Sequence, residues 1–429
     1  MRDRLALIRR IARLWPEAVL GAVTIWLVLA DGLRTSAGDP GYYYKIAGQV
    51  SQGMIPWRDF PFEYPPVSLL PVLLPYFLPG GTASYETYLR LLFSENVLLV
   101  VATGLGVVWL ARRGWSSESW LRSGIIYGLL TLTLAPVVVW RYEPVPVLLT
   151  VAGVMFAARY QSAASGVALG TAVIAKLYPL AMLPALMLGQ IRDRGLRSAL
   201  VLAGVCVVTA VALAAPFVLI AGRGAFSYIE YATTRGVQIE SVPGALALLA
   251  SVLGGPRAHI FNGFGTWQVD SPLIPILGSL WTVLTGVAVL ALGLAIWQRF
   301  KADRLAVGHL RPTSQVTHLL AALTLVLVSS RILSPQYLFW VVPFVALGDR
   351  PKALVFWVAC LLTTFVYPLN YQQLLNQEAY TVIATNIRNA ILVGFLGWVI
   401  AGELRFAIRA VMPRVRTLAQ RSRPDSPAA

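Results

Sequence analysis

Charge is what this 429-residue chain most lacks. Only 13% of its residues are Asp, Glu, Lys or Arg, about half the share of a soluble domain. Cysteine is almost absent too: Cys206 and Cys360 both fall inside apolar runs, which excludes a disulfide framework and a thiolate metal site. The three histidines, His259, His309 and His318, are scattered. There is no P-loop, D-x-D dyad, H-E-x-x-H or G-x-S-x-G. No polar stretch is long enough to fold as a soluble nucleotide-binding domain.

What fills the chain instead is apolar: 57% hydrophobic residues and a mean hydropathy of +0.68. Runs of roughly twenty such residues recur throughout, the mark of an all-α polytopic membrane protein. We read twelve spans, at 15–33, 88–111, 121–139, 143–159, 163–176, 177–191, 198–220, 274–298, 315–332, 337–348, 353–368 and 384–402. The first follows five arginines as a signal peptide would, but the many later spans favour an uncleaved helix. The expected organisation is one transmembrane domain over 1–429 with a basic tail at 403–429. The net charge of +16 concentrates on one side of these spans. By the positive-inside rule that side is cytoplasmic and holds both termini; anionic membrane lipid is its natural partner, and nucleic acid is not needed.

The opposite, external face carries longer loops: 34–87, 221–273 and 369–383. The first opens on Asp39-Pro40, a good helix start. Tyr43, Ile46, Ala47 and Val50 then share one face and Lys45, Gln49 and Gln52 another. This reads as an interfacial helix with its rings in lipid. Pro65–Pro79 and 242–255 are apolar but too short to span, so they belong at the outer interface or re-enter from it.

Polar residues gather at the outer helix ends. Asp59, Glu63 and Tyr64 close the first loop; Arg141 and Glu143 lie between the third and fourth spans. Lys176 and Tyr178 mark a break between two short spans. Arg235, Gln238 and Glu240 follow, and then Arg331, Gln336 and Tyr337. Each alone reads equally as a satisfied helix terminus. A buried charge in an apolar run is costly without a partner or a task, so Lys176 and Arg331, with Arg235, form a candidate anion site. Glu95 reads as part of a structural network with Arg90 and Asn96, and Gly166–Gly170 as helix packing. A transporter or flippase is the rival class, but it would show internal repeats, which are not seen here.

The pieces "DPGYYYKIAGQVSQGMIPWRDFPFEYPP", "AKLYPLAMLP", "RGVQIES" and "SRILSPQYLFWVVPF" resemble glycosyltransferase family 87. This is the polyprenol-phosphate-mannose-dependent alpha-mannosyltransferase group of the GT-C fold. The resemblance runs from about residue 15 to 400. It implies an inverting transfer of a polyprenyl-phosphate-linked sugar, mannose for choice, to a cell-envelope glycolipid or lipoglycan. Asp39 matches the family's external general base, with Glu63 or Asp59 as fallback. Metal-dependent relatives carry a second acid after it; Pro40 stands there, so no metal is expected. Lys176, Arg235 and Arg331 are then candidates for the donor phosphate. Tyr43, Trp57, Tyr64 and Tyr337 are candidates for sugar stacking, with Asp59, Glu63, Arg141, Glu143, Tyr178, Gln238, Glu240 and Gln336 for sugar or acceptor. An arabinosyl-, aminosugar- or protein-glycosylating relative remains the alternative.

Overall fold

A computed structural model describes residues 39–421. The expected first span, 15–33, lies outside the described residues. The first long loop holds α1 (Asp39–Ser51) and, after the irregular stretch 52–65 and a single 3-10 turn, α2 (Leu69–Phe77). Then come α3 (Tyr85–Leu110), α4 (Trp120–Val138), α5 (Pro144–Ala158), α6 (Ser162–Ala175), α7 (Leu183–Arg194) and α8 (Leu196–Ala221). Two short helices, α9 (Ser227–Thr234) and α10 (Val242–Val252), lie on either side of the stretch 235–241. A hairpin, β1 (His259–Gly263) and β2 (Thr266–Asp270), pairs antiparallel with Gly263 opposite Thr266. The chain closes with α11 (Ile274–Val307), α12 (Pro312–Ser329), α13 (Leu338–Leu347), α14 (Arg350–Thr364), α15 (Tyr371–Leu375) and α16 (Ala379–Arg421).

Local chemistry sets several boundaries. Ser84 Oγ accepts the Thr87 amide at the head of α3, Ser119 does the same for α4, and Ser241 for α10. Each satisfies a first-turn N–H that no carbonyl can reach. Pro144 opens α5, where its missing N–H costs nothing.

Seven of the described helical segments are long and apolar enough to cross a membrane. The expected spans 143–159, 163–176, 177–191 and 337–348 are helices too, but shorter, at 15, 14, 12 and 10 residues. A helix of 14 residues reaches only about 21 Å, against a hydrocarbon core of about 30 Å. Glu143, Lys176 and the Tyr178-Pro179 turn interrupt these runs, so their ends meet inside the protein instead of at its surface.

The main core packs α3–α8 and α11–α14 against α16. Gly166 and Gly170 lie where α6 crosses α8: a Cβ at Gly166 would come within 2.6 Å of Leu202 O. The first loop has a core of its own, built from Tyr43, Ile46, Trp57, Phe60, Phe62, Leu69, Val72, Tyr88, Leu92 and Tyr142. Here the α1 face differs from expectation. Tyr43, Ile46 and Ala47 are buried in protein, because α2 and α3 cover them before lipid can. The Glu95–Arg90–Asn96 network does not form. Asn96 donates to Val139 O at 2.8 Å, Arg90 pairs with Glu86 one turn back, and Glu95 Oε2 is buried without a partner among the described residues.

Candidate functional site

Four segments distant in sequence converge where α1 begins. Arg141, in the turn between α4 and α5, brings Nε within 2.7 Å of Asp39 Oδ2 and donates from Nη2 to Tyr367 Oη at 3.0 Å. The guanidinium is buried while the Asp39 carboxylate keeps 30% of its surface. The acid is thus held from behind and open in front. Two residues further along, Glu143 takes the ammonium of Lys176. Glu63 from the first loop takes Arg235.

Rings tie these pairs together. Tyr43 of α1 meets Tyr142 at 6.2 Å and Tyr64 at 6.3 Å, and Tyr64 meets Tyr142 at 4.9 Å. Lys176 Nζ stands over Tyr337 at 4.7 Å, Tyr142 at 4.8 Å and Trp340 at 5.4 Å. An ammonium so caged keeps attractive partners on every side although it has left water. Tyr178 backs the cage, stacked on Trp340 at 4.4 Å and bonded through its hydroxyl to Thr150. Gln336 and Tyr337 stand half-buried at the head of α13.

The segment 235–241 forms the facing wall. The Gly236 amide donates to Gln268 Oε1 and the Ile239 amide to Trp267 O, which ties the wall to the hairpin, and the Gln238 amide donates to Arg331 O, which ties it to the turn before α13. Glu240 is anchored from below by Arg388 of α16. Arg388 Nη1 reaches Glu240 Oε2 at 2.7 Å and Nη2 reaches Glu240 O at 2.7 Å, both side chains fully buried. Arg388 was hidden from sequence reasoning inside the apolar run 384–402. A lone arginine in the middle of such a run was the available signal.

Arg331 differs from the other cations. Its side chain is exposed and has no carboxylate partner among the described residues. It borders a cavity of about 760 Å³ together with Gly236, Asp270, Thr282, Thr285 and Ser329. An apolar cleft of about 340 Å³ between α4 and α14 contains none of the residues above.

The pairs carry distinct electrostatics. Burial pushes the Glu63 carboxyl above its ordinary value, Arg235 opposes that, and the nearby Asp39 charge pushes the same way as burial. Asp59 is different: Arg58 and the Ile55 amide hold its carboxyl down to about 2. It organises the exposed turn 55–59, and Arg58 rather than the site engages it.

Not every expected side chain faces the site. Trp57 is buried, donates to Phe62 O at 2.9 Å and stacks edge-on against Phe217. Tyr43 is fully buried in the loop core. Both rings brace the loop, and neither offers a face for a sugar. Glu240 and Tyr178 likewise serve from the second layer. Yet several buried polar atoms here lack a hydrogen-bond partner among the described residues: Tyr43 Oη, Glu143 Oε2, Arg235 Nε, Gln238 Oε1 and Glu240 Oε1. Buried polar groups are normally satisfied, so their concentration marks a polar interior built to meet further groups.

The family model described as "Glycosyltransferase family 87" matches residues 62–330. That range takes in Glu63, Arg141, Glu143, Lys176, Arg235 and Glu240; Asp39 lies before it and Arg331 one residue after. No curated protein matches the chain. Among solved structures, ArnT from Cupriavidus metallidurans bound to undecaprenyl phosphate is similar at 17% identity. It covers 96% of this chain and 82% of ArnT, with a TM-score of 0.47. The Archaeoglobus fulgidus oligosaccharyltransferase, tethered with an acceptor peptide, is similar at 12% identity over 88% of this chain and 55% of its own, with a TM-score of 0.43.

Proposed function

Because the chain belongs to glycosyltransferase family 87, and so is a membrane glycosyltransferase, we propose that it moves a sugar from a polyprenyl phosphate to an envelope glycolipid or lipoglycan. The sugar we assign is mannose, and the linkage is inverted. One observation carries the reading: a carboxylate open in front and held from behind, Asp39 on Arg141, stands among buried cations set in aromatic rings.

In this mechanism Asp39 takes the proton from the acceptor hydroxyl as its oxygen attacks the anomeric carbon. The new carbon–oxygen bond forms on the face opposite the donor phosphate. The old bond breaks, and the phosphate leaves with its electron pair. Lys176, Arg235 and Arg331 stabilise that developing charge. Arg331 is the cation free to meet the phosphate first, since the other two already hold carboxylates. Arg141 orients Asp39. The half-buried Tyr64 and Tyr337, with Gln336, bound the sugar. A cation beside Asp39 and a proline after it suit chemistry without a metal, which is how we propose the reaction runs. The whole chain acts as one domain whose site faces outward.

Membranes containing the protein are incubated with radiolabelled polyprenyl-phosphate mannose and their glycolipids extracted. Label should move to a glycolipid, and Asp39→Asn should lower the rate about a hundredfold or more. Undiminished transfer by Asp39→Asn would remove Asp39 as the base. Label carried only by arabinose or an aminosugar donor would reassign the sugar.

A further inference from the structure

The end of α4 remote from the site carries a second construction. α4 has 19 residues, which sets its start about 28 Å from the Arg141 turn. There Glu118 gathers two guanidiniums: Arg122 Nη1 at 3.0 Å and Arg350 Nε at 3.4 Å. The neighbouring Asp349 is already used, capping α14 at the Lys352 amide and pairing with the Lys352 ammonium. Three cations thus stand against two carboxylates. Arg112, laid on the Trp120 ring at 4.3 Å, adds another positive charge.

Arg122 and Arg350 also form the mouth of the cleft between α4 and α14, of about 340 Å³. Its walls are Ile125, Leu129, Leu130, Leu354 and the Trp357 ring. The cleft ends where Trp357 Nε1 donates to Thr133 Oγ1 at 2.8 Å and Thr364 Oγ1 donates to Thr133 O at 2.6 Å. Both helices are among those long and apolar enough to span. The result is a blind apolar slot, open toward the bilayer, with surplus positive charge at its mouth.

We propose that this slot seats one anionic phospholipid, its headgroup phosphate on Arg122 and Arg350 and one acyl chain along Leu129 and Trp357. Charge selects the occupant. Each arginine keeps 55% of its side chain exposed, and one glutamate cannot neutralise two guanidiniums. A zwitterionic headgroup would bring no net charge to meet the surplus. The apolar walls select a lipid over free phosphate. The charged mouth of the slot lies at the far end of α4 from Asp39, and its occupant is independent of which sugar is transferred.

The test is native mass spectrometry of the full chain released from nanodiscs of phosphatidylglycerol and phosphatidylcholine. Phosphatidylglycerol should be retained in preference. Arg122→Gln with Arg350→Gln should weaken its retention about thirtyfold. Leu129→Trp, which fills the slot and leaves both arginines, should release it as well. If the double glutamine variant does not fold, Arg122→Lys with Arg350→Lys should still retain the lipid. Equal retention of the two lipids, or wild-type retention in Leu129→Trp, overturns the proposal.

Discussion

Arg388 lies wholly inside the protein, where an unpaired guanidinium would be costly, and Glu240 is what makes it tolerable. Removing one partner of such a buried pair costs about 3–5 kcal/mol, whereas removing both charges costs much less. Arg388→Ala should therefore lower the thermal transition sharply, and Glu240→Gln with Arg388→Met should recover most of it. Equal transitions for the single and double variants would show that the pair is not coupled. Glu63 makes a pH prediction. Its carboxyl is raised by burial, so the folded protein holds that proton at pH values where the unfolded chain has released it. The stability it contributes therefore declines as pH rises from its ordinary value through the raised one. Protonation also frees Arg235, so the donor KM should fall as pH is lowered through that window. Glu63→Gln should abolish this dependence while the rest of the pH profile stays. Asp59 has the opposite sign: the stability it contributes is present above its ordinary value and is lost as pH falls from there through about 2. Hydropathy and composition pick out Asp59, Glu63, Arg235 and Glu240 as unusual, because charge in an apolar chain is conspicuous, but Arg388 is hidden by the apolar run around it. Which acid meets which cation was not legible, since Asp39 and Arg141, or Glu240 and Arg388, are joined only by the fold.

Among the elements, the α6–α8 crossing is the one whose sequence signal was sufficient. Small residues four apart allow close approach of two helices, and Gly166 and Gly170 face the α8 backbone. Gly166→Leu should destabilise the protein by about 1–3 kcal/mol through overpacking. Gly204→Leu, in open space on α8, should change stability by no more than about 0.5 kcal/mol. Comparing their detergent-unfolding transitions checks this, and equal losses would remove the crossing as the cause. The hairpin was not foreseen, although "HIFNGFGTWQVD" carries its signal. Phe264 and Gly265 both take positive φ, 51° and 67°, as a two-residue turn matching strand twist requires. Its alternation is five residues per strand, too short to stand out beside apolar runs. The rings of α1 were misplaced for a related reason. Amphipathicity identifies the face that leaves water, but whether lipid or protein receives it depends on segments far along the chain.

For the molecule as a whole, hydropathy found nearly every described helix, but it could not distinguish a span from a short helix ending inside the protein. That difference has a consequence for topology. α5, α6 and α13 end at Glu143, Lys176 and Tyr337, and α7 starts from the Tyr178–Met182 turn, instead of at a lipid surface, so polar residues collect at one end of the bundle. α11 supplies the ruler. Its 34 residues reach about 51 Å, more than a bilayer needs, so Arg304 near its end lies on the side away from the hairpin and Arg331. Gln52 in the first loop lies on the side of Asp39. Both side chains are exposed, and the native Cys206 and Cys360 are buried, so an introduced cysteine can be read alone. With a membrane-impermeant maleimide on intact cells, Gln52→Cys should label at once and Arg304→Cys only after permeabilisation. The reverse pattern would place Asp39 in the cytoplasm, and an outward-facing transferase drawing on lipid-linked sugar would no longer fit this chain.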